Sequence, residues 1–145
     1  MKKALIVYST RTGDTRKIAE FIAEGLRFSM VDVTLADAKD IKKETELDGY
    51  DIYLFGSSTY HGEMMNSMKT LLFLTEKAGL QGKTAGAFGA YGWSGEAAER
   101  IFDTMKNIFG MAMVGGPLML KSAIVEGGMK MAQAYGKEAA VKAEA

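Results

Sequence analysis

Short apolar runs alternate along this chain with longer stretches whose apolar residues recur every three or four positions. That alternation predicts strands and helices exchanging about five times. The first run, Leu5, Ile6, Val7 and Tyr8, is apolar at every position, as expected for a strand covered on both faces. The polar loop Ser9–Thr15 follows, and a helical pattern begins at Arg16–Glu24. Ile18, Phe21, Ile22, Gly25 and Leu26 fall on one side of it, with Arg16, Lys17, Glu20 and Glu24 largely opposite. Ser29–Leu35 alternates Met30, Asp32 and Thr34 against Val31, Val33 and Leu35, which predicts a strand near a sheet edge. Ala36–Gly49 is a charged connection under which Ile41 and Leu47 tuck. A third strand is expected over Asp51–Gly56, closing in the polar turn Ser57–Glu63.

Met64, Met65, Met68, Leu71, Leu72 and Leu74 mark the next helix, with Gly79 as its stop signal. Lys83–Phe88 reads as a fourth strand that empties into Gly89–Gly95. A helix over Glu96–Phe109 then runs through Ala97, Ile101, Met105 and Ile108. Met111–Leu120 is apolar but broken by Gly115, Gly116 and Pro117, so the last strand is interrupted there or begins after the proline. Met129–Ala143 is the final helix, with fraying expected at Lys142–Ala145.

Buried strands joined by helices predict an α/β fold, an open parallel sheet with helices on both faces. Right-handed crossovers force the strand order to reverse somewhere, and ligands in such sheets sit beyond the carboxyl ends of the strands near that reversal. The 145 residues fit one domain, 1–145, without repeat or linker. Eighteen basic and eighteen acidic residues cancel, so no bulk field recruits nucleic acid or an anionic membrane. No apolar run approaches the roughly 18 residues of a membrane span, and the run after Lys2 and Lys3 is too brief for a secretion signal; a cytoplasmic protein is expected. The absence of cysteine excludes disulfides, thiolate iron–sulfur ligation and cysteine nucleophiles. A metal centre or a Ser-His-Asp hydrolase would have to rest on the single histidine, His61, so no metal ligands are assigned. The eleven methionines read as core filling.

The candidate chemistry gathers in three loops. Ser9, Thr10, Arg11, Thr12, Gly13, Asp14 and Thr15 lie between a strand and a helix start, where backbone N–H groups and the helix dipole can hold an anion. The same residue types also serve simply to cap a helix, and this loop alone does not decide between the two. With strands one, three and four side by side, Ser57–Glu63 and Gly89–Gly95 converge on the same edge. They carry Tyr60 and His61 before Gly62, and Tyr91, Gly92 and Trp93 before Ser94–Gly95. The only tryptophan and the only histidine both fall in these loops. Aromatic residues on two sides of a slot hold a planar ring, and glycines let the backbone approach it. A phosphate at one end and a flat ring at the other describe a mononucleotide.

On Ser9-Thr10-Arg11-Thr12-Gly13-Asp14-Thr15, Ser57-Ser58-Thr59-Tyr60 and Phe88-Gly89-Ala90-Tyr91-Gly92, the chain resembles the short-chain flavodoxins over essentially its whole length. The third loop, Ala87 through Ala97, and the stretch Tyr60–Met65 are closer to the flavodoxin-like domain of flavodiiron proteins. One histidine in 145 residues cannot supply the iron domain of such proteins, so the resemblance is to a free-standing module. It implies a flavodoxin-like three-layer sandwich, a five-stranded parallel sheet of order 2-1-3-4-5 with helices on both faces, binding FMN. Carried over, Ser9, Thr10, Arg11, Thr12 and Thr15 around Gly13 would be phosphate ligands, and Ser58 and Thr59 would contact phosphate, ribityl or ring. Tyr60 and His61 would cover one flavin face and Tyr91 or Trp93 the other. The His61–Gly62 peptide would offer its carbonyl to the reduced flavin N5, and backbone donors from Ala90 and Tyr91 through Gly92, Trp93, Ser94 and Gly95 would face the pyrimidine edge. Asp14 stands where the family often has asparagine, and Tyr60 and His61 both remain candidates to stack. The neutral chain departs from the usual acidic flavodoxin, so steering onto basic partners should be weaker.

The resemblance implies a low-potential, one-electron carrier with no catalytic side chain. Its partners would be redox proteins (reductases, ferredoxin-like or oxidoreductase acceptors), and it would be a monomer. The alternative is an FMN-dependent NAD(P)H:quinone-type oxidoreductase, which needs room above the flavin that Trp93 would close. A phospho-receiver domain is opposed by Gly56-Ser57 and Ser9-Thr10, which stand where that chemistry needs acidic residues.

Overall fold

The computed structural model describes residues 1–91, 95–122 and 127–144. Strand β1 (Lys3–Ser9) leads to helix α1 (Asp14–Phe28), then β2 (Asp32–Asp37), two 3₁₀ turns (Ala38–Asp40 and Glu44–Leu47) and β3 (Ile52–Ser57). A small hairpin, β4 (Thr59–Tyr60) and β5 (Glu63–Met64), precedes α2 (Asn66–Ala78). β6 (Thr84–Ala90), α3 (Glu96–Asp103) with a π turn over Thr104–Ile108, β7 (Ala112–Met113), β8 (Leu118–Leu120) and α4 (Gly128–Glu144) complete the order. The sheet runs β2-β1-β3-β6, with the last place shared by β7 and β8, and every pairing in it is parallel. This is the expected 2-1-3-4-5 arrangement with its fifth strand in two pieces, split at Gly115-Gly116-Pro117.

The uninterrupted apolar runs follow from burial on both faces. Ala4 and Ile6 of β1, with Ile52 and Leu54 of β3, point into the core under α1 and α4. Leu5, Val7, Tyr53 and Phe55 point into the core under α2 and α3. Side chains alternate across a strand, so a strand between two helical layers must be apolar at both parities.

Two boundaries differ from the pattern. β2 begins at Asp32 rather than Ser29, because α1 runs on to Phe28 and closes with Met30 in the left-handed region at φ 65. The Val31 N–H reaches the Leu26 carbonyl at 3.1 Å and the Met30 N–H the Arg27 carbonyl at 3.0 Å. This is a Schellman ending, made without the glycine that normally announces it. α2 begins at Asn66 rather than Met64, because Met64 is spent on the hairpin.

The helices α1 and α4 cross in backbone contact. A Cβ on Gly136 would collide with the Ile22 carbonyl, and one on Gly25 with the carbonyl of Gln133. That crossing sets the height of α4 and aims Tyr135 through the core at β6. β7 ladders β6 as far as Ala85, whose carbonyl accepts from the Val114 N–H at 2.7 Å, and β8 resumes at Phe88. Ala87 lies opposite the break, and the Tyr135 hydroxyl takes the missing strand's place: it accepts from the Ala87 N–H at 3.0 Å and donates to the Ala87 carbonyl at 3.3 Å. Gly86 leaves the hydroxyl room, since a Cβ there would strike it.

Replacing Tyr135 with Phe should therefore cost about 1–3 kcal/mol, the penalty for leaving buried backbone groups unpaired, measured by urea unfolding. Burial also holds the Tyr135 hydroxyl protonated well above its ordinary value of 10.0. The unfolded chain loses that proton first, so stability should fall as pH rises beyond about 10. Tyr135→Phe should reduce that fall without abolishing it, because burial raises Tyr53 as well.

Candidate functional site

The carboxyl ends of β1, β3, β6 and β8 open onto one edge, and a cleft of about 470 Å³ lies there. The first loop supplies one end of it. Gly13, at φ 96, is the N-cap of α1 and gives the helix no side-chain cap, while Thr10 Oγ1 accepts from the Gly13 N–H at 2.9 Å and shapes the turn. The N–H groups at the start of a helix have no intrahelical acceptor, so this uncapped end suits an anion. Arg11, Thr12 and Asp14 line the cleft.

The expected phosphate hydroxyls are used in different ways. The Ser9 hydroxyl is buried against Ser67 at 2.8 Å, and the Thr15 hydroxyl is buried against Ser58 at 2.8 Å. The run Ser57-Ser58-Thr59 reaches the starts of three helices. Ser57 Oγ accepts from the Met65 N–H at 2.9 Å beside α2, and Ser58 meets Thr15 in the first turn of α1. Thr59 Oγ1 accepts from the Ala97 N–H at 3.2 Å and caps α3, whose own N-cap, Gly95, has no side chain to offer. Ser58 Oγ also accepts from the Arg11 N–H at 3.4 Å, so one hydroxyl ties the first loop to the second.

The hairpin supplies the other end. His61 at φ 52 and Gly62 at φ 73 are its central residues, and two positive φ values in a two-residue loop are the signature of a type I′ turn. Glu63 accepts from Arg100 at 2.8 Å and faces Lys69 at 3.5 Å, fastening the hairpin to α3 and α2. Tyr60, His61 and Gly62 line the cleft, with Ala90 and Tyr91 from the end of β6. Gly92, Trp93 and Ser94 lie outside the described residues.

One lining residue belongs to none of the three loops. Lys121 follows β8 directly and enters the same cleft. The available signal was its position at the carboxyl end of the last strand, where open α/β sheets place their ligand contacts. Its neighbour Ser122 donates to Asp14 at 3.5 Å, giving that carboxylate a partner on the protein.

An open parallel sheet with a phosphate-type loop at one end of its cleft and an aromatic, glycine-turned hairpin at the other defines a mononucleotide-binding α/β protein. The flavodoxin family profile matches residues 6–143, and the chain belongs to the flavodoxin family. It is 33% identical over 118 residues to a flavodoxin of Clostridium beijerinckii, spanning 81% of this chain and 85% of that one. An archaeal flavodoxin structure superposes with a TM-score of 0.89 at 30% identity over 99% of each chain. The flavodiiron core of Synechocystis Flv1 shares the fold, with a TM-score of 0.91 at 23% identity; this chain spans 36% of it. The protein is an FMN-binding electron-transfer flavodoxin, and the quinone-reductase alternative is not favoured.

Thr15 and Ser58 should prove coupled in a double-mutant cycle. Thr15→Val and Ser58→Ala each remove one partner of a buried pair, and the coupling by urea unfolding should be at least about 0.5 kcal/mol.

Proposed function

We propose that this chain shuttles single electrons at low potential between redox proteins and has no catalytic side chain of its own. The observation that supports the reading most directly is the cleft's polarity of parts: an uncapped helix start at one end, and a positive-φ hairpin carrying aromatic rings at the other. FMN supplies the one-electron chemistry when bound, and the protein contributes position and electrostatics.

In this reading the N–H groups at the start of α1 would hold the phosphate, with Thr12 as a hydroxyl donor, Arg11 as a nearby cation, and Ser9, Thr10, Gly13 and Thr15 shaping the loop. Ser58 and Thr59 place the chain beside the ribityl. The His61–Gly62 carbonyl would accept the hydrogen bond from flavin N5, and Tyr91, at the end of β6, would cover the other side. Asp14 disfavours added negative charge on the ring, whereas Arg11 and Lys121 favour it; Glu63 counts for less because Arg100 and Lys69 already face it. Reductases and ferredoxin-like or oxidoreductase acceptors are the partners proposed, met as a monomer in the cytoplasm. Among the described residues, no helix is long and apolar enough to cross a membrane.

The purified protein should show flavin absorption bands and, on stepwise dithionite reduction, two separated one-electron steps. A colourless protein that also ignores added FMN would sink the reading, and bleaching in one concerted step would return the hydride-transfer alternative. Gly62→Ala should narrow the gap between the steps. An added Cβ meets nothing within 4 Å, so the change acts through the cost of a left-handed alanine, about 1 kcal/mol.

A further inference from the structure

The chain as a whole is neutral, but the charges around the cleft are not evenly spread. On one flank stand Arg11, then Arg16 and Lys17 in the first turn of α1, Lys121 after β8, and Lys130 in the first turn of α4, all exposed. Arg11 and Lys121 line the cleft, and the Ser122–Asp14 hydrogen bond draws the end of β8 to the start of α1. Tyr135 lies about two turns into α4 and meets Ala87 just short of the end of β6, so the α4 start stands level with the strands' carboxyl ends. Against these five cations the described residues of the flank set one carboxylate, Asp14. Arg16, Lys17, Lys121 and Lys130 make no ion pair among the described residues. The opposite flank runs from the hairpin to the starts of α2 and α3. There Lys69 and Arg100 are both drawn to Glu63, with Glu96 and Glu99 beyond them, so that flank is slightly negative.

We propose that the flank formed by the first loop, the start of α1, the end of β8 and the start of α4 is a docking surface for an acidic face on a redox protein. The inference rests on the electron-carrier reading of the same cleft. A bound FMN phosphate carries about two negative charges, which leaves the flank positive by about two. Exposed charges act across roughly 10 Å at ordinary salt, a range that covers the cleft mouth but not the far side of the protein. Steering therefore follows the flank that a partner meets, and a neutral total conceals it. The neutral composition implied only weaker steering onto basic partners; the placement of the charges implies steering of the opposite sign. The two flanks also orient the encounter, since an acidic face is drawn toward α1 and α4 and turned away from α3.

Small charged oxidants read the sign of this surface. The phosphate gives the FMN-loaded protein a net charge of about minus two, so its total charge predicts that ferricyanide, a trianion, oxidises it faster as salt is added. The flank predicts the reverse. Each reagent ion takes one electron from the reduced protein, ferricyanide becoming ferrocyanide and hexaamminecobalt(III) becoming cobalt(II). Between about 10 mM and 300 mM salt the stopped-flow rate with ferricyanide should fall on the order of tenfold, and the rate with the cobalt cation should rise. The triple variant Arg16→Glu, Lys17→Glu, Lys130→Glu should invert both trends, and the milder Arg16→Gln, Lys17→Gln, Lys130→Gln should flatten them. None of the three residues lines the cleft, so the flavin spectrum should stay that of the parent. When an acidic ferredoxin is added to the oxidised protein, amide NMR signals of this flank should move more than those of Glu96 and Glu99. The proposal is overturned if the parent's ferricyanide rate rises with salt, if the charge-reversed protein keeps the parent's trend, or if ferredoxin perturbs the α3 flank instead. Failure of the underlying reading is a separate result: a parent that binds no FMN shows no flavin spectrum before any oxidant is added, and the proposal falls with it.

Discussion

The structure hangs on the backbone contact between α1 and α4. Gly25 and Gly136 bring two helices close enough that neither position has room for a Cβ. That contact fixes how far α4 lies above the sheet, and hence where the Tyr135 hydroxyl arrives. It arrives at Ala87, the residue of β6 that the divided fifth strand leaves without a ladder partner. A parallel sheet tolerates no unpaired peptide in its interior, so the break at Gly115-Gly116-Pro117 is possible only because a side chain from another layer completes the rung. Downstream of that rung β6 delivers Ala90 and Tyr91 to the cleft, and β8 delivers Lys121. The ring end of the site is therefore held in register by a hydroxyl on the far side of the core.

The phosphate end is organised by a different means. Ser57, Ser58 and Thr59 hand one hydroxyl each to the starts of α2, α1 and α3. Two of these bonds satisfy N–H groups that the helices cannot satisfy themselves. At α1 the hydroxyl pairs with the Thr15 side chain and leaves the first-turn N–H groups to the cleft. The helix start that borders the cleft is the one whose N–H groups are not filled from this run. A buried hydroxyl network costs little when every member is paired, and from the backbone of the first loop it takes the Arg11 N–H.

The sheet, its strand order and the three converging loops were legible in the sequence because each rests on a local pattern: runs of apolar residues, helical spacing, glycine and hydroxyl clusters. What was not legible rests on contacts distant in sequence. The Schellman ending at Met30 has no glycine, so the pattern stops α1 about two residues short, at Leu26, and starts β2 three residues early, at Ser29. The hairpin at Thr59–Met64 was read as a turn, since two-residue strands carry no periodicity, although the residue pair His61-Gly62 sat where a type I′ loop requires it. No local pattern marks Tyr135 on the last helix, and its reach to Ala87 spans 48 residues. Lys121 lies just beyond the last strand and carries no motif. It belongs to the cleft because β8 pairs with β6, a fact of topology rather than of spacing.

The neutral overall charge conceals how the cleft uses its charges. Asp14 is partnered by Ser122, and Glu63 is met by Arg100 and Lys69. Arg11 is committed to the face of Tyr60. Apart from Lys121, the charged residues that line the cleft are thus engaged with other parts of the protein, and the backbone dipoles at the start of α1 open onto the cleft beside Thr12. Oriented dipoles at a helix start need no side chain to reorganise when charge arrives, whereas a free lysine or arginine would follow the charge as it changed. A carrier gains from that difference. Its surroundings should stabilise neither redox state by rearranging around it, so that each electron leaves as readily as it enters. Backbone dipoles at a helix start, with the neighbouring Asp14 and Arg11 already engaged elsewhere, meet that requirement.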